Sequence, residues 1–170
     1  MLPATTAPLK GGCAALAGFE AERGLTYRRE DCAVVGTTQA DNIWFTCLTM
    51  NTNPIHFNAE YAKETEFKRP LVNSCFTLAL VTGQSVIDLT MNAVANLGWD
   101  EVRLPNPLFE GDTVYAKSEV LETRESKSRP NAGLVRVKTT GTNQHGAPVI
   151  EFTRTFMIWK RGKVPTRRGL

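Results

Sequence analysis

Apolar and polar residues alternate with a period of two over most of the second half of the chain, as they do in strands that bury one face. The alternation is clearest at residues 114–121 and 135–138, and in a long final strand whose shared face carries Ile150, Phe152, Phe156 and Ile158. Turn residues near Gly111, near Asn131 and at 143–146 separate these runs. Because strands joined by short turns pair antiparallel, the pattern predicts an antiparallel sheet.

A different pattern precedes the strands. From Ser74 to Ile87 apolar residues fall on nearly every side of a helix, which predicts a helix that is buried all round. Arg69-Pro70 and Asn73-Ser74 supply breaking and capping residues before it. One apolar helix followed by antiparallel strands predicts an α+β fold in which a single sheet wraps around a central helix.

Three shorter elements are predicted ahead of this helix. Residues 25–29 form a short first strand, and residues 32–38 continue in an extended conformation. Asp41 is a favoured N-cap residue and begins a helix whose apolar face is formed by Ile43, Trp44, Cys47 and Leu48. Residues 51–54 end that helix, and Asn58 caps a second, short one.

The length of 170 residues fits one domain with a sizeable core. We expect a flexible segment at 1–17, a domain over 18–160 and a basic tail at 161–170. The net charge is +3, but five basic residues lie at and after Lys160, and without them the chain has 15 basic and 17 acidic residues. Because a nucleic-acid-binding domain would carry a basic face on its folded part, we expect no nucleic-acid partner.

We expect neither a signal peptide nor a membrane-spanning segment in these 170 residues. The first residues lack the basic and apolar regions of a signal peptide, and the apolar stretch at 74–89 is too short and too polar to cross a bilayer. Three of the four cysteines lie in apolar surroundings, and no pair has CxxC spacing. We therefore expect buried cysteines, a cytoplasmic location and no membrane partner.

One of the two histidines, His56, follows a run of polar turn residues, Asn51-Thr52-Asn53-Pro54. A lone histidine after a turn is commonly a surface residue, but this one lies between two predicted helices and beside a proline that stiffens the backbone. Asn51 and Asn53 are each able to orient a ring nitrogen or a water molecule. Since imidazole takes up and returns protons near neutral pH, His56 is a candidate general acid and base.

The start of the apolar helix is the second candidate element. The first N–H groups of a helix have no intrahelical partner and carry partial positive charge. Around Ser74 they are suited to bind a carbonyl oxygen that becomes negative during a reaction, as in an oxyanion hole. A histidine and such a hole suffice for proton transfer beside a thioester carbonyl.

These motifs resemble those of the MaoC-like (R)-specific enoyl-CoA hydratases and dehydratases, which have the hot-dog fold. The family motif Asp-x-Asn-Pro-x-His corresponds to residues 51–56, and the segment Gly-Arg-Pro-Ile-Val-His-Gly to residues 68–74. LGWDEVRLPNPLFEGDTV and NQHGAPVI are similar to the family's strand patterns, so the resemblance covers about residues 18–160. DNIWFTCLTMNTNPIHFNAEYA is most similar to the branch that handles methyl-branched C5 dicarboxylyl-CoA esters, such as mesaconyl-CoA, β-methylmalyl-CoA or itaconyl-CoA.

The resemblance implies reversible hydration of an enoyl-CoA, with His56 as the catalytic histidine and the Ser74 N–H, where the family has glycine, in the oxyanion hole. Asn51 stands where the family has aspartate, and an amide can hold a water but cannot take its proton as a carboxylate does. Either His56 alone does the acid/base work while Asn51 positions the water, or the domain only binds an acyl thioester. We favour the first hypothesis, and a thioesterase of the same fold is a further alternative.

A CoA ester also carries phosphates and, if dicarboxylic, a free carboxylate, for which arginine and lysine are the natural partners. Asn53 and Asn73 join the expected substrate-binding residues, and the candidate cations are Arg69, Arg103, Lys127 and Arg129. Neither metal-ligand spacing nor a GxGxxG fingerprint is present, so CoA is expected only as part of the substrate. The resemblance implies at least a homodimer, or a trimer of dimers, with the site at or near the subunit interface.

Overall fold

The computed structural model describes the backbone of residues 26–28 and all atoms of residues 37–165. The predictions for residues 1–17 and for most of 32–38 fall outside these residues. In chain order the elements are β1 Thr26–Arg28, α1 Gln39–Leu48, a 3₁₀ turn Pro54–His56, α2 Ala59–Lys63, α3 Ser74–Gln84, a π-helical turn Val86–Thr90, β2 Ala93–Arg103, β3 Val114–Glu125, β4 Ala132–Asn143 and β5 Pro148–Trp159.

The five strands form one antiparallel sheet in the order β1-β3-β4-β5-β2, which confirms the predicted sheet. The predicted turns are also present, and two of their glycines, Gly111 and Gly146, have φ angles of 89° and 78°. Only glycine adopts such angles without strain, so these turns are encoded locally. The long strand β2 pairs with β5 on one side and lies at the edge of the described sheet.

Helix α3 packs against one face of the sheet, where the predicted buried positions of β3, β4 and β5 are all confirmed. The helix approaches so closely that a Cβ on Gly141 would lie 2.8 Å from Cγ2 of Val81. Beyond the helix, Leu89 fills a second part of the core, and its buried neighbours are Val120, Val135, Val137, Phe156 and Ile158.

The prediction that α3 is buried all round is wrong for the single chain. Thr77, Val81 and Gln84 are buried, but Ser74, Cys75, Ala79 and Gly83 are exposed. The sheet covers only one side of the helix, and composition alone does not reveal how many sides a neighbour covers. The prediction of buried cysteines is likewise wrong for Cys47 and Cys75, which are both exposed. Cys13 and Cys32 lie outside the described residues.

Helix α1 exists as predicted, but its cap and its buried face do not match the prediction. Thr38 is the N-cap, and its backbone N–H donates to the Asp41 carboxylate at 3.1 Å in a capping box. The predicted apolar face is turned outward, with Trp44 71% and Leu48 73% exposed. The side chains that this helix buries are those of Asn42 and Thr46.

One charged side chain lies on the core face of β5. Arg154 is 2% exposed, and its Nη2 donates to Ser85 Oγ at 3.0 Å. Ser85 follows the last turn of α3, where the helix dipole favours a positive charge. Burial lowers the pKa of Arg154 to about 10, so the core holds this cation at an energetic cost. No described helix is long and apolar enough to cross a membrane.

Candidate active site

The loop between α1 and α2 is built by its own asparagines. Asn51 Oδ1 accepts the Asn53 N–H at 3.1 Å, and Asn53 Oδ1 accepts the Ile55 N–H at 3.2 Å. Pro54 occupies the first position of the 3₁₀ turn that ends at His56. Such side-chain contacts to the following backbone are a typical use of asparagine in turns. They fix the backbone that carries the histidine.

The ring of His56 is held in one orientation. The residue is 8% exposed, and its Nδ1 lies 3.0 Å from the carbonyl oxygen of Leu71. Because a carbonyl oxygen only accepts hydrogen bonds, the proton of the neutral ring is on Nδ1. The lone pair is then on Nε2, which leaves Nε2 able to accept a proton.

The start of α3 follows the Leu71 segment that holds this histidine, and it presents a donor with no described acceptor. Asn73 caps the helix through its Oδ1, which accepts the Cys75 N–H at 2.9 Å. The Thr77 N–H donates to the Asn73 carbonyl. Ser74 is exposed, and its N–H has no acceptor within residues 37–165. The arrangement therefore offers the Ser74 N–H to a ligand.

Asn42 joins these two parts of the site, and sequence reasoning missed it. Its amide donates to the carbonyls of His56 and Leu71 at 2.9 and 3.0 Å and accepts the Asn73 N–H at 2.8 Å. The signal in the sequence was weak: an asparagine in the first turn of a helix, at a position that caps nothing. Its partners lie 14 to 31 residues away, so no local pattern reveals them.

A cleft of about 230 Å³ opens beside Ser74. None of the residues that line it is charged, and most are apolar, among them Phe67, Leu71, Leu104, Pro107, Leu108 and Val149. The cleft therefore suits an uncharged part of a ligand whose polar atom reaches the Ser74 N–H.

The expected substrate-binding residues near the histidine loop and the start of α3 are Asn73, Asn53 and Arg69, and their surroundings differ. Asn73 is 2% exposed, and its Nδ2 donates to Thr46 Oγ1 at 3.3 Å, so both of its amide atoms already serve the fold. Asn53 is exposed, although its Oδ1 caps the 3₁₀ turn. Arg69 lies five residues before Ser74, and its guanidinium stacks 3.7 Å from the ring centre of Phe109.

The other cations lie elsewhere. Lys127 and Arg129 are exposed in the turn between β3 and β4, next to the end of β5. The cleft touches the start of β5, at Val149, so the length of the strand puts roughly 30 Å between them within one chain. Arg103 ends β2 opposite Glu151. Within one chain, Leu71 and Asn42 link His56 to the segment that precedes Ser74, and Lys127 and Arg129 lie far from the cleft.

Comparisons with known proteins agree with this architecture. The chain is 39% identical over 102 residues to mesaconyl-CoA hydratase of Cereibacter sphaeroides and 30% identical over 124 residues to beta-methylmalyl-CoA dehydratase of Chloroflexus aurantiacus. These matches cover 60% and 73% of this chain but 29% and 35% of the relatives. The chain therefore spans about a third of the length of these curated relatives.

Solved structures show the same fold. A monoamine oxidase regulatory protein from Archaeoglobus fulgius has a TM-score of 0.73 at 28% identity, with 84% of this chain and 94% of that one covered. A MaoC domain protein dehydratase from Chloroflexus aurantiacus has a TM-score of 0.79 at 28% identity, with 90% and 43% covered. A Mycobacterium tuberculosis protein, Rv0216, described as a double hotdog fold, matches with a TM-score of 0.76 at 20% identity, with 91% and 47% covered.

The last of these neighbours confirms the predicted hot-dog fold. The MaoC-like domain family matches residues 19–143, a range that includes the histidine loop and the start of α3. The chain therefore belongs to the MaoC-like domain family.

Proposed function

We propose that this domain catalyses the reversible addition of water to the double bond of an enoyl-CoA thioester. The observation that carries the proposal is the pairing of a histidine whose Nε2 lone pair is free with a helix start whose Ser74 N–H has no described acceptor. One group is suited to move a proton, and the other is suited to stabilise negative charge on a thioester oxygen. The names of the hydratase and dehydratase relatives support the same reaction class.

In the hydration direction, Nε2 of His56 takes a proton from water while the water oxygen bonds to C3 of the enoyl group. The electrons of the double bond move toward the thioester carbonyl, whose oxygen becomes enolate-like and accepts the Ser74 N–H. His56 then returns the proton to C2, so the net change is the addition of one water molecule. Dehydration follows the same steps in reverse.

Asn51 is the proposed holder of the water. Its Oδ1 is occupied by the Asn53 N–H, so the Nδ2 donor remains for a ligand. If Nδ2 donates a hydrogen bond to the water oxygen, both protons of the water stay available, and one of them can point at Nε2 of His56. In this mechanism the amide orients the nucleophile, and His56 alone carries the proton.

The proposed substrate is a methyl-branched C5 dicarboxylyl-CoA, as in the names of the relatives. The cleft beside Ser74 has no charged lining residue, so it suits the hydrocarbon part of the substrate and not its free carboxylate. Among the candidate cations, Arg69 is the one closest in sequence to Ser74, and we assign the carboxylate to it. Lys127 and Arg129 could reach a substrate only from a partner subunit.

The proposed assembly is at least a homodimer. Strand β2 leaves one edge open in the described sheet, and Leu97, Trp99 and Val102 on it are 50%, 42% and 41% exposed. A long apolar edge strand is a ready site for pairing, and exposed apolar surface of this kind marks interfaces. This chain covers only 43% and 47% of the length of two solved neighbours, which leaves room in those proteins for a second domain of similar size. A second copy of this chain would supply the equivalent unit.

Two further expectations belong to this proposal. The proposed proton transfers use only His56, Asn51 and the Ser74 N–H, so the reaction requires no metal or nicotinamide, and CoA enters as part of the substrate. The exposed thiols of Cys47 and Cys75 are compatible with the reducing cytoplasm.

The decisive experiment is a panel of mesaconyl-, itaconyl-, crotonyl- and 3-hydroxyacyl-CoA esters. Loss of the conjugated double bond reports hydration, and release of free thiol reports thioester hydrolysis. Hydration without thiol release supports the proposal. Thiol release without hydration would replace it by the thioesterase alternative, and binding without turnover by the acyl-thioester binding module.

The Ser74 donor has a matched pair of variants. Ser74→Pro removes the N–H at the first helical position, where proline is well tolerated, and the ψ angle of 130° at Asn73 suits a following proline. Ser74→Ala keeps the N–H. We expect kcat to fall about 10²–10³-fold in Ser74→Pro and to change little in Ser74→Ala. Equal activity of the two variants would exclude this N–H from the oxyanion hole.

A further inference from the structure

Asn42 is a fully buried polar side chain in a helix whose Trp44 and Leu48 side chains point to solvent. Its Nδ2 donates to the carbonyl oxygens of His56 and Leu71, with a longer contact of 3.4 Å to Glu110 Oε1. Its Oδ1 accepts the N–H of Asn73, the residue that caps α3. A single amide therefore contacts the histidine segment, the strand-like segment before α3 and the cap of α3.

The chemistry of these partners allows only one orientation of the amide. A backbone N–H can only donate, and a carbonyl oxygen can only accept, so the oxygen of Asn42 faces Asn73 and the nitrogen faces the two carbonyls. No other side chain of similar size offers a donor and an acceptor in this arrangement. Aspartate would present an acceptor to two carbonyl oxygens, and leucine would leave the buried groups without this partner.

The contact that links Asn42 to the reaction is the carbonyl oxygen of Leu71. This oxygen accepts from Asn42 Nδ2 and from His56 Nδ1, at 3.0 Å in each case. The two nitrogens therefore lie no more than 6.0 Å apart. The bond from Asn42 fixes the direction of the carbonyl that holds the proton on Nδ1 of His56, and so keeps the lone pair on Nε2.

We propose that Asn42 is a positioning residue that holds His56 in the Nδ1–H tautomer and keeps the Ser74 helix start in register with it. The proposal rests on the hydratase function in one respect, namely that the free Nε2 is the group that moves the proton. The tautomer itself is a property of the unliganded protein and is measurable without any substrate.

The test uses Asn42→Asp and Asn42→Leu, with Thr139→Val as the control. Thr139 is buried in the sheet and shares a hydrogen bond of 2.9 Å with Ser118, so its removal costs a buried polar contact away from the site. Because the chain has two histidines, ¹⁵N NMR of the imidazoles gives two sets of signals, and His145→Gln assigns them. Thermal unfolding establishes which variants are folded.

In wild type and Thr139→Val we expect the neutral His56 ring as the Nδ1–H tautomer. In Asn42→Leu we expect a mixture of tautomers and a kcat lower by about 10²-fold, the cost of a small misplacement of a reacting group, with KM changed less than about threefold. In Asn42→Asp the new oxygen faces the carbonyl oxygens of His56 and Leu71, so we expect the same loss of tautomer preference and a similar fall of kcat as in Asn42→Leu.

Three outcomes separate the hypotheses. A folded Asn42→Leu with an unchanged tautomer and unchanged kcat would overturn the proposal for Asn42 while leaving the hydratase function intact. A wild type that hydrates no ester of the panel would overturn the proposed function, and the NMR signals would still decide the role of Asn42. If kcat falls as much in Thr139→Val as in Asn42→Leu, the effect of Asn42 on activity comes from the general stability of the fold, and the positioning role is wrong.

Discussion

Helix α1 and strand β5 select their buried sides in different ways. On β5 the predicted apolar positions face the core, and Phe152, Phe156 and Ile158 are no more than 1% exposed. On α1 the predicted apolar face is outside, and Asn42 and Thr46 are buried instead. The sheet packs against apolar side chains of α3, whereas the inner face of α1 meets backbone carbonyls and N–H groups of the loops.

The composition of a buried face follows the surface that it meets. Apolar surface is stabilised by apolar contacts, in proportion to the area removed from water. Buried backbone groups that lack a partner in a helix or sheet require hydrogen bonds from side chains. We call the group formed by α1, the histidine loop and the start of α3 the polar layer, and the group around Phe156 the apolar core. If activity depends on the polar layer and stability on the apolar core, substitutions in the two groups will have opposite effects.

His56→Ala should have the largest effect, and the effect should be on activity. The loss of general acid/base help lowers kcat about 10²–10⁴-fold. The free energy of unfolding should fall by no more than about 1 kcal/mol, since the Leu71 carbonyl keeps its bond from Asn42. Steady-state kinetics on the best ester of the panel and urea unfolding measure the two quantities. His145→Ala, at an exposed turn residue, is the control and should leave kcat unchanged.

Phe156→Ala should show the reverse pattern. It opens a cavity in the apolar core and should lower the free energy of unfolding by about 3–5 kcal/mol, while Phe156→Leu costs about 1 kcal/mol. At a temperature where the variant is folded, its kcat should lie within about threefold of wild type. A specific loss of kcat in folded Phe156→Ala would mean that the core and the polar layer do not act separately.

Arg154→Met tests the one charge in the apolar core. The guanidinium is desolvated, and its Nε has no hydrogen-bond partner among the described residues. Replacement by an apolar side chain of similar length should raise the free energy of unfolding by about 1–3 kcal/mol, the range found when buried ion pairs are replaced by apolar groups, because the lost contact with the Phe156 ring at 5.2 Å is weaker than the cost of desolvation. Arg154→Lys, which keeps the charge, should bring no such gain. A loss of stability in the methionine variant would show that the contact with Ser85 outweighs the cost of desolvation.

Trp44→Ser should have the smallest effect. The side chain is 71% exposed on the outer face of α1, so the free energy of unfolding should change by less than about 0.5 kcal/mol. Phe45→Ser is the matched comparison, because the Phe45 ring lies 5.1 Å from that of Phe76 and its loss should cost clearly more. If Trp44→Ser costs as much as Phe45→Ser, the outer face of α1 is covered in the folded assembly.

The features that could be predicted from sequence depend on local signals. The period-two alternation, the turn glycines, the cap at Asn58 and the helix after Asn73 each involve residues within a few positions of one another, and all are confirmed. Short motifs also predict the catalytic histidine and the helix start at Ser74, and these two roles stay predictions. The N-cap of α1 was assigned to Asp41 instead of Thr38, because aspartate and threonine are both good N-cap residues and only the backbone geometry decides between them. Asn42 was missed because its hydrogen-bond partners are distant in sequence.

Periodicity, turns and caps are local properties, so the α+β class, the order of most elements and the location of the loop that carries His56 can be read from short stretches of sequence. Which side of α1 is buried, which groups meet at the histidine and how far Lys127 and Arg129 lie from the cleft become evident only in the folded chain. A hydrogen bond such as that from Asn42 to Leu71 joins residues 29 positions apart, so its existence depends on the path of the whole chain between them.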